Sequence, residues 1–212
     1  MPRRYRLGER AVQMQATRDR IVEAAIELYM EQGISGTTLR QVGVRADVAP
    51  GTLRNHFASR EDLEQVMVER LTAEAPLPDA SIFEGTATTV ERIERLMGAT
   101  GRFLDQAARL YRMWLREPML TEPWTSAGAA YGARWADLTR IALGPLADDE
   151  EAGAVVRAIM EPALFEGLRA GRRTTDQAAQ LISRVLGAWL ETKLAAATSG
   201  KSRGPSKASR RP

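Results

Sequence analysis

The stretch from Thr37 to Phe57, TTLRQVGVRADVAPGTLRNHF, constrains the fold of this chain more than any other. A hydroxyl at Thr37 or Thr38 can accept a backbone N–H at the start of a helix, and Gln41 follows three residues after Thr38, as in a capping box. Further along, Pro50 suits the first position of a second helix, where its missing N–H is harmless. The stretch therefore predicts two short helices joined by a tight turn, the arrangement called helix-turn-helix.

The turn between these helices is centred on Asp47. Such a turn often needs a positive φ, which Asp adopts more readily than most non-glycine residues. Gly43, within the first helix, costs about 1 kcal/mol relative to Ala. We therefore expect the second helix to pass close to Gly43, with Val48 filling the gap between the two helices.

The second helix has two different faces. Leu53 and Phe57 are four residues apart and share one face, whereas Gly51, Arg54 and Asn55 lie on the other. An arginine can donate two hydrogen bonds to a guanine edge and an asparagine can pair with adenine, each good match contributing about 1–3 kcal/mol of discrimination. The outward face is thus suited to the major groove of DNA.

Residues 18–63 resemble the DNA-binding domain of the tetracycline-repressor (TetR) family of bacterial transcription regulators. Three segments carry the resemblance in order, namely RDRIVEAAIELYMEQG, TTLRQVGVRA and GTLRNHFASREDL. The sequence departs from the family pattern at Asp47, where glycine is usual, at Ala49, often a capping serine, and at Arg54, usually a tyrosine that touches phosphate. The resemblance implies an all-α protein with an N-terminal three-helix helix-turn-helix domain, followed by a larger helical domain for ligand binding and dimerisation.

The residues and the resemblance together predict a set of DNA contacts in the two helices and at the start of the next one. A solvated surface arginine is the alternative for Arg60, and packing beside the inward side chains is the alternative for His56. The predicted contacts are Thr37, Thr38, Gln41, Pro50, Gly51, Thr52, Arg54, Asn55, His56 and Arg60.

The charge distribution agrees with this prediction. Residues 1–60 hold ten arginines against six acids, residues 199–212 hold five basic residues and no acid, and residues 61–198 carry a net charge of −6. Positive charge is therefore concentrated at the helix-turn-helix end and in the tail. Residues 1–16 are predicted to form a flexible basic arm that either follows DNA phosphates or the minor groove, or serves only as a solubilising leader. Residues 199–212 are predicted to form a disordered basic tail.

Helical spacing sets the remaining boundaries. A first helix is predicted from Thr17, as its N-cap, to Gln32, and the helix-turn-helix domain spans residues 17–74. Pro76 and Pro78 mark a seam, beyond which residues 75–198 show helical spacing throughout.

Two long helices are predicted near the C-terminal end, from about Asp149 to Ala170 and from Thr175 to Ala197, with a kink in the first at Pro162. Both carry broad apolar stripes. Those stripes form either the domain core or, as the resemblance implies, a four-helix interface between two copies of the chain. The predicted interface residues are Val156, Met160, Leu164, Leu181, Val185 and Trp189.

Residues 75–198 also contain all four tryptophans. Aromatic and methionine side chains between helices can line a pocket for a flat or apolar small molecule, although ordinary core packing is the alternative for each of them. The predicted pocket residues are Met97, Phe103, Tyr111, Trp114, Trp135 and Met160.

Composition excludes several other classes. The chain has no cysteine and one histidine, so disulfides, thiolate metal sites and Cys-His catalysis are excluded, and neither GxSxG nor a phosphate-binding GxxxxGK[ST] occurs. We therefore expect no enzyme, metal or cofactor. No apolar run reaches the roughly 18 residues of a membrane helix, and a cytoplasmic protein is expected.

The sequence thus predicts a dimer that binds double-stranded DNA at a palindromic operator and represses transcription. A small hydrophobic or aromatic effector would release it by moving the two DNA-reading helices away from adjacent major grooves, roughly 34–36 Å apart. The alternative is an architectural DNA-binding protein that tolerates many sequences and needs no ligand.

Overall fold

The computed structural model describes residues 3–116 and 121–202, with side chains for residues 8–112 and 121–198. Throughout these ranges the chain forms helices and no strand, which confirms the predicted all-α fold. None of the helices in the described ranges is long and apolar enough to cross a membrane. The α-helices are α1 (Arg3–Gln32), α2 (Leu39–Arg45), α3 (Pro50–His56), α4 (Arg60–Glu74), α5 (Thr89–Gln106), α6 (Ala108–Arg116), α7 (Glu122–Leu143), α8 (Glu150–Ile159), α9 (Pro162–Ala170) and α10 (Thr175–Ser202).

The chain divides into two compact units. The first unit consists of Met1–Pro76 and Gln106–Tyr131, and the second of Leu77–Asp105 and Gly132–Pro212. The sequence boundaries did not anticipate that residues 106–131 join the first unit. The reason is burial, because Leu110 is 1% exposed and Trp124 is completely buried. Domain boundaries placed in chain order cannot show that a later segment packs against an earlier domain.

The first unit has its own hydrophobic core. The inward side of α1 packs with α2, α4 and α6, and the apolar positions recur at the helical spacing expected from the sequence. The largest of its fully buried side chains are Ile21, Ile26, Tyr29, Phe57, Leu63, Met67, Leu71 and Trp124.

Helix α1 begins much earlier than predicted. It starts at Arg3 rather than after Thr17, and the Thr17 hydroxyl donates to the carbonyl of Gln13 (2.9 Å) inside the helix instead of capping its start. Residues 3–16 contain good helix formers and a single glycine, Gly8, so nothing in them ends a helix. The predicted flexible arm is therefore helical from Arg3 onwards.

The second unit is built around α5, α8, α9, α10 and the second half of α7. Its core joins apolar side chains from all five helices, including Ile93, Leu96, Met97, Leu138, Val156, Phe165, Ile182, Leu186 and Leu190. Residues 199–202 continue α10, so the predicted disordered tail begins as helix, and the rest of that tail lies outside the described residues.

Two other helix predictions need correction. Pro162 does not kink one long helix but separates two, since α8 ends at Ile159 and α9 begins at Pro162. The preceding Glu161 is extended (ψ 134°), the conformation that a following proline favours. The helical spacing in the sequence predicts a further helix from about Ser126 to Leu143. Helix α7 begins earlier, at Glu122, because Pro123 fits within a first helical turn.

Candidate nucleic-acid interface

Helix α2 begins with the predicted capping box. The Thr38 hydroxyl oxygen accepts from the backbone N–H of Gln41 (3.3 Å), and the Gln41 side chain accepts from the backbone N–H of Thr38 (2.8 Å). Both side chains are exposed at the surface of the unit. They fix the start of α2, and the DNA contacts predicted for them remain predictions.

The turn has the predicted backbone conformation at Asp47, whose φ is 53°. The backbone N–H of Val48 donates to the carbonyl of Gly43 (3.0 Å) and closes the turn. The second helix passes close to Gly43, as expected, but the distances do not require glycine there. A Cβ there would lie 3.5 Å from the Val48 carbonyl oxygen and 3.6 Å from Leu53 Cδ1, which are ordinary contact distances. Close packing therefore does not require glycine at this position.

Helix α3 begins at Pro50, as predicted, after an extended Ala49 (ψ 151°). Its inner side chain Leu53 is 4% exposed, and Phe57, which ends the helix, is 1% exposed. The predicted outward residues Gly51, Arg54 and Asn55 are exposed, as is Pro50, whereas Thr52 and His56 are half-buried. A Cβ placed on Gly51 would meet no atom within 4 Å. The outer side of α3 is thus exposed, as the sequence predicts for a side that meets DNA.

Arg18 holds the C-terminal end of α3 against α1. Its guanidinium donates to the carbonyl of His56 (2.7 Å) and lies 4.2 Å from the centre of the Phe57 ring, a cation–π contact. The sequence reasoning missed this role. The one signal in the sequence is the position of Arg18, about one helical turn before Ile21, the first core residue of α1.

A second anchor joins α4 to the segment before α2. The Arg60 guanidinium donates to the carbonyl oxygens of Ile34 (2.9 Å) and Thr37 and lies beside the hydroxyl of Tyr29 (3.2 Å). Thr37 is 2% exposed, and its hydroxyl donates to the carbonyl of Gly33 (2.8 Å). Both predicted DNA contacts therefore have partners inside the domain, and the Thr37 side chain is closed off from a duplex.

Glu64 lies at the centre of this anchor and was not predicted from the sequence. It is completely buried, and its carboxylate accepts from the hydroxyls of Tyr29 (2.6 Å) and Thr121 (2.6 Å). Arg60 Nε is 3.4 Å from the same carboxylate. Burial, reinforced by the hydrogen bond to Glu64, raises the pKa of the Tyr29 hydroxyl above its usual range, so Tyr29 remains a donor at physiological pH.

Besides Arg18 and Arg60, the first unit contains two groups of arginines that differ in their ion pairs. One group is paired with acids: Arg45 with Glu27 and Glu31, Arg70 with Asp19 and Glu74, and Arg109 with Glu23 and Glu74. The other group is exposed and forms no ion pair with any residue in the described ranges: Arg10, Arg20, Arg40 and Arg54. The second group keeps its charge available for phosphates or base edges.

The predicted pocket residues divide between the units. In the second unit, the rings of Phe103 and Trp135 meet edge to face with centroids 5.3 Å apart, while Met97 is buried in the core and Met160 accepts from the Thr139 hydroxyl (3.7 Å). Tyr111 belongs to the first unit. The Trp114 side chain lies outside the described residues. Two surface cavities are described, one along residues 147–157 and one between α5 and α10, and neither is lined by a predicted pocket residue.

The predicted dimer residues also differ in accessibility. Val156 is completely buried within its own unit and cannot reach another copy, so this prediction is wrong. Leu164 on α9 is 39% exposed and Val185 on α10 is 62% exposed. Met160, Leu181 and Trp189 are half-buried. The outer sides of α9 and α10 therefore retain the exposed apolar surface that the sequence predicts.

The capped α2, the turn at Asp47, the seated α3 and the exposed arginines define a helix-turn-helix DNA-binding protein with a second helical unit. In the described ranges, no group of three or more acids or histidines could hold a metal ion. Residues 21–67 match the family model for bacterial regulatory proteins of the tetR family. The resemblance of the helix-turn-helix part to this family is thereby confirmed over residues 21–67.

Individual relatives agree with this assignment. An uncharacterised helix-turn-helix transcriptional regulator from the dhlA 5′ region of Xanthobacter autotrophicus is 26% identical over 159 residues, covering 73% of this chain and 79% of that protein. The transcriptional repressor KstR2 of Mycobacterium tuberculosis is 28% identical over 90 residues, covering 42% of this chain and 45% of KstR2. A crystal structure of a TetR-like regulator from Rhodococcus sp. RHA1 aligns with a TM-score of 0.62 and 16% identity, covering 82% of this chain and 96% of that one.

Both of these relatives are named as transcription regulators. The chain spans most of the first relative but less than half of KstR2. The structural match at 16% identity establishes the fold.

Proposed function

We propose that this protein is a dimeric transcription repressor that binds a palindromic operator through α3 and is released by a small hydrophobic or aromatic molecule. The observation that carries the proposal is the orientation of α3. Leu53 and Phe57 bury one side, while Arg54 and Asn55 stand exposed on the other. We propose the cytoplasm as the compartment in which it meets DNA.

Arg54 is the residue to which we assign direct base recognition. Its guanidinium is exposed and forms no ion pair with a described residue, so binding DNA breaks no existing contact. It can donate two parallel hydrogen bonds to guanine, and Asn55 beside it can pair with adenine. Exposed Gly51 allows the backbone of α3 to approach the duplex closely.

Dimerisation would use the outer sides of α9 and α10. Val185 and Leu164 expose apolar surface there, and a two-fold dimer places the same residues on both copies. Two copies of α3 would then meet two half-sites one helical turn apart, which accounts for a palindromic operator.

Repression is inferred from a relative, and release from the aromatic side chains of the second unit. KstR2, which is similar over 90 residues, is named a repressor. In the second unit the ring of half-buried Trp135 meets the buried Phe103 ring edge to face, so Trp135 is the member of this pair that a flat apolar molecule could contact. A ligand can release DNA only if it binds the DNA-free conformation more tightly than the DNA-bound one.

The proposal is tested with a duplex that the full-length protein selects from a random-sequence library. Compounds that raise the melting temperature are then added to the complex. We expect at least one apolar aromatic compound both to stabilise the protein and to dissociate the selected duplex. If the protein prefers the selected duplex but no compound releases it, the proposed ligand response is wrong. If the protein binds the selected duplex no better than other duplexes, the architectural alternative is favoured.

A further inference from the structure

Helix α1 continues well beyond the domain it belongs to. Arg18 on α1 contacts the C-terminal end of α3 through the His56 carbonyl and the Phe57 ring. The helix extends a further 15 residues towards its N-terminus, to Arg3. At a rise of 1.5 Å per residue, it continues for about 22 Å along its own axis beyond Arg18. We call residues 3–16 the α1 extension.

The rest of the described protein gives the α1 extension little support. Every residue from Gly8 to Ala16 is exposed, with Val12 71% and Met14 61% exposed, and a Cβ on Gly8 would meet no atom within 4 Å. A helix of about 14 residues without packing partners is marginally stable in water. An external partner that orders this helix would account for its length.

The charge of the extension indicates what that partner is. It carries four arginines, Arg3, Arg4, Arg6 and Arg10, against one acid, Glu9. Arg3, Arg6 and Arg10 recur at helical spacing, whereas Glu9 falls at least 60° outside the sector of the helix that they span. A cationic helix of this kind is complementary to a line of phosphates.

The register of α1 places Arg10 on the side of the helix that carries the domain core. Arg10 precedes the core residue Ile21 by 11 residues, about three turns, and precedes Leu28 by 18, which is five turns. Arg10 therefore lies on the same side of α1 as the domain core. Arg18, which contacts the end of α3, follows Arg10 by eight residues and so lies about 80° from it around the helix. Arg10 therefore lies on the half of α1 that contains Arg18.

We propose that the α1 extension binds the phosphate backbone of the DNA next to the base pairs that α3 contacts. This inference rests on the proposed function, because α3 must bring the duplex to the extension. The contacts carry no base information, so the extension adds affinity and lengthens the protected stretch of DNA without adding specificity.

The test compares the full-length parent with the double variant Arg6→Gln/Arg10→Gln. Glutamine keeps helix propensity and removes the charge. The matched control is Arg134→Gln/Arg140→Gln, which removes the same charge from exposed positions on α7. Each protein is titrated at several salt concentrations against the library-selected duplex, extended by about one helical turn (about 10 base pairs) at each end, and against a scrambled duplex of equal length.

Each lost phosphate contact lowers the slope of log affinity against log salt by about 0.9. Two arginines in each copy of a dimer predict a slope smaller by about 3 to 4, an equal loss of affinity for both duplexes, and shorter hydroxyl-radical protection at the outer edges. The control should keep the parent slope. If the Arg6→Gln/Arg10→Gln variant keeps the parent's salt slope, the inference is overturned. The inference is also overturned if the parent binds anionic phospholipid vesicles and the variant does not, while both proteins show the same salt slope for DNA.

The two proposals fail in different ways. Suppose that the parent prefers the selected duplex but the Arg6→Gln/Arg10→Gln variant keeps the parent's salt slope. The α1 extension then does not contact DNA, and the proposed function stands. If the parent binds both duplexes equally while the variant loses slope, the extension does contact DNA and the proposed base recognition is wrong.

Discussion

The buried carboxylate of Glu64 makes Tyr29→Phe an informative perturbation of the first unit. The substitution removes one hydroxyl that donates to the Glu64 carboxylate at 2.6 Å and accepts from Arg60 Nε at 3.2 Å. Phenylalanine keeps the ring, so no cavity forms. Hydrogen bonds to charged groups contribute about 1.5–3 kcal/mol, and Glu64 has no access to water to replace the lost donor. We therefore expect Tyr29→Phe to lower the free energy of unfolding by about 2–3 kcal/mol.

A matched control is available in the same unit. Tyr131→Phe also removes one hydroxyl, but this hydroxyl donates to the neutral backbone carbonyl of Ala75 at 3.1 Å. A neutral hydrogen bond contributes about 1 kcal/mol. The cost of Tyr29→Phe should therefore be at least about twice that of Tyr131→Phe.

Native-state hydrogen exchange measures both losses where they occur. Amides in the buried parts of α1 and α4 should exchange about 30- to 150-fold faster in Tyr29→Phe, the equivalent of 2–3 kcal/mol, at fixed protein concentration so that dimerisation is held constant. Equal effects of the two substitutions, or a change of less than about threefold in Tyr29→Phe, would refute the role assigned to Glu64.

Three further predictions concern stability. Gly43→Ala should raise the urea midpoint by the equivalent of up to about 1 kcal/mol, because the added Cβ fits, whereas Gly36→Ala should lower it, because the Cβ would overlap the Gln32 carbonyl. Thr38→Ala should cost about 1 kcal/mol in the same measurement, through loss of the α2 cap, with no change if the cap is dispensable. Asp149 caps α8, and its hydrogen bond to Lys193 lowers its pKa, so its contribution is present above the ordinary carboxyl pKa and is lost as pH falls through the lowered value. Lys193→Met should therefore flatten the acid side of the stability profile, and an unaltered profile would contradict this.

Local chemistry explains which parts of the structure could be predicted. Three features were predicted correctly: the Thr38 capping box, the positive φ of Asp47 and the start of α3 at Pro50. Each of them depends only on residues within four positions in the chain, and the sequence shows such neighbours directly. The break at Pro162 is equally local, but the sequence could not distinguish a kink from two helices.

Distant contacts explain what was missed. Tyr29 and Thr121 bind the same Glu64 carboxylate from positions 35 and 57 residues away, and Arg18 reaches His56 across 38 residues. Nothing in a single sequence pairs such residues. Val156 was assigned to a dimer interface for a related reason, because a broad apolar stripe does not show which of its positions the domain core covers.

The central claim, that exposed side chains of α3 recognise base pairs, is tested most directly by the ratio of affinities for the selected and the scrambled duplex in parent and Arg54→Ala. The parent should prefer the selected duplex by about a thousandfold or more. Arg54→Ala should reduce that ratio, with a loss of about 1–3 kcal/mol of discrimination for each half-site. Equal affinity of the parent for both duplexes, or an unchanged ratio in Arg54→Ala, would contradict the account.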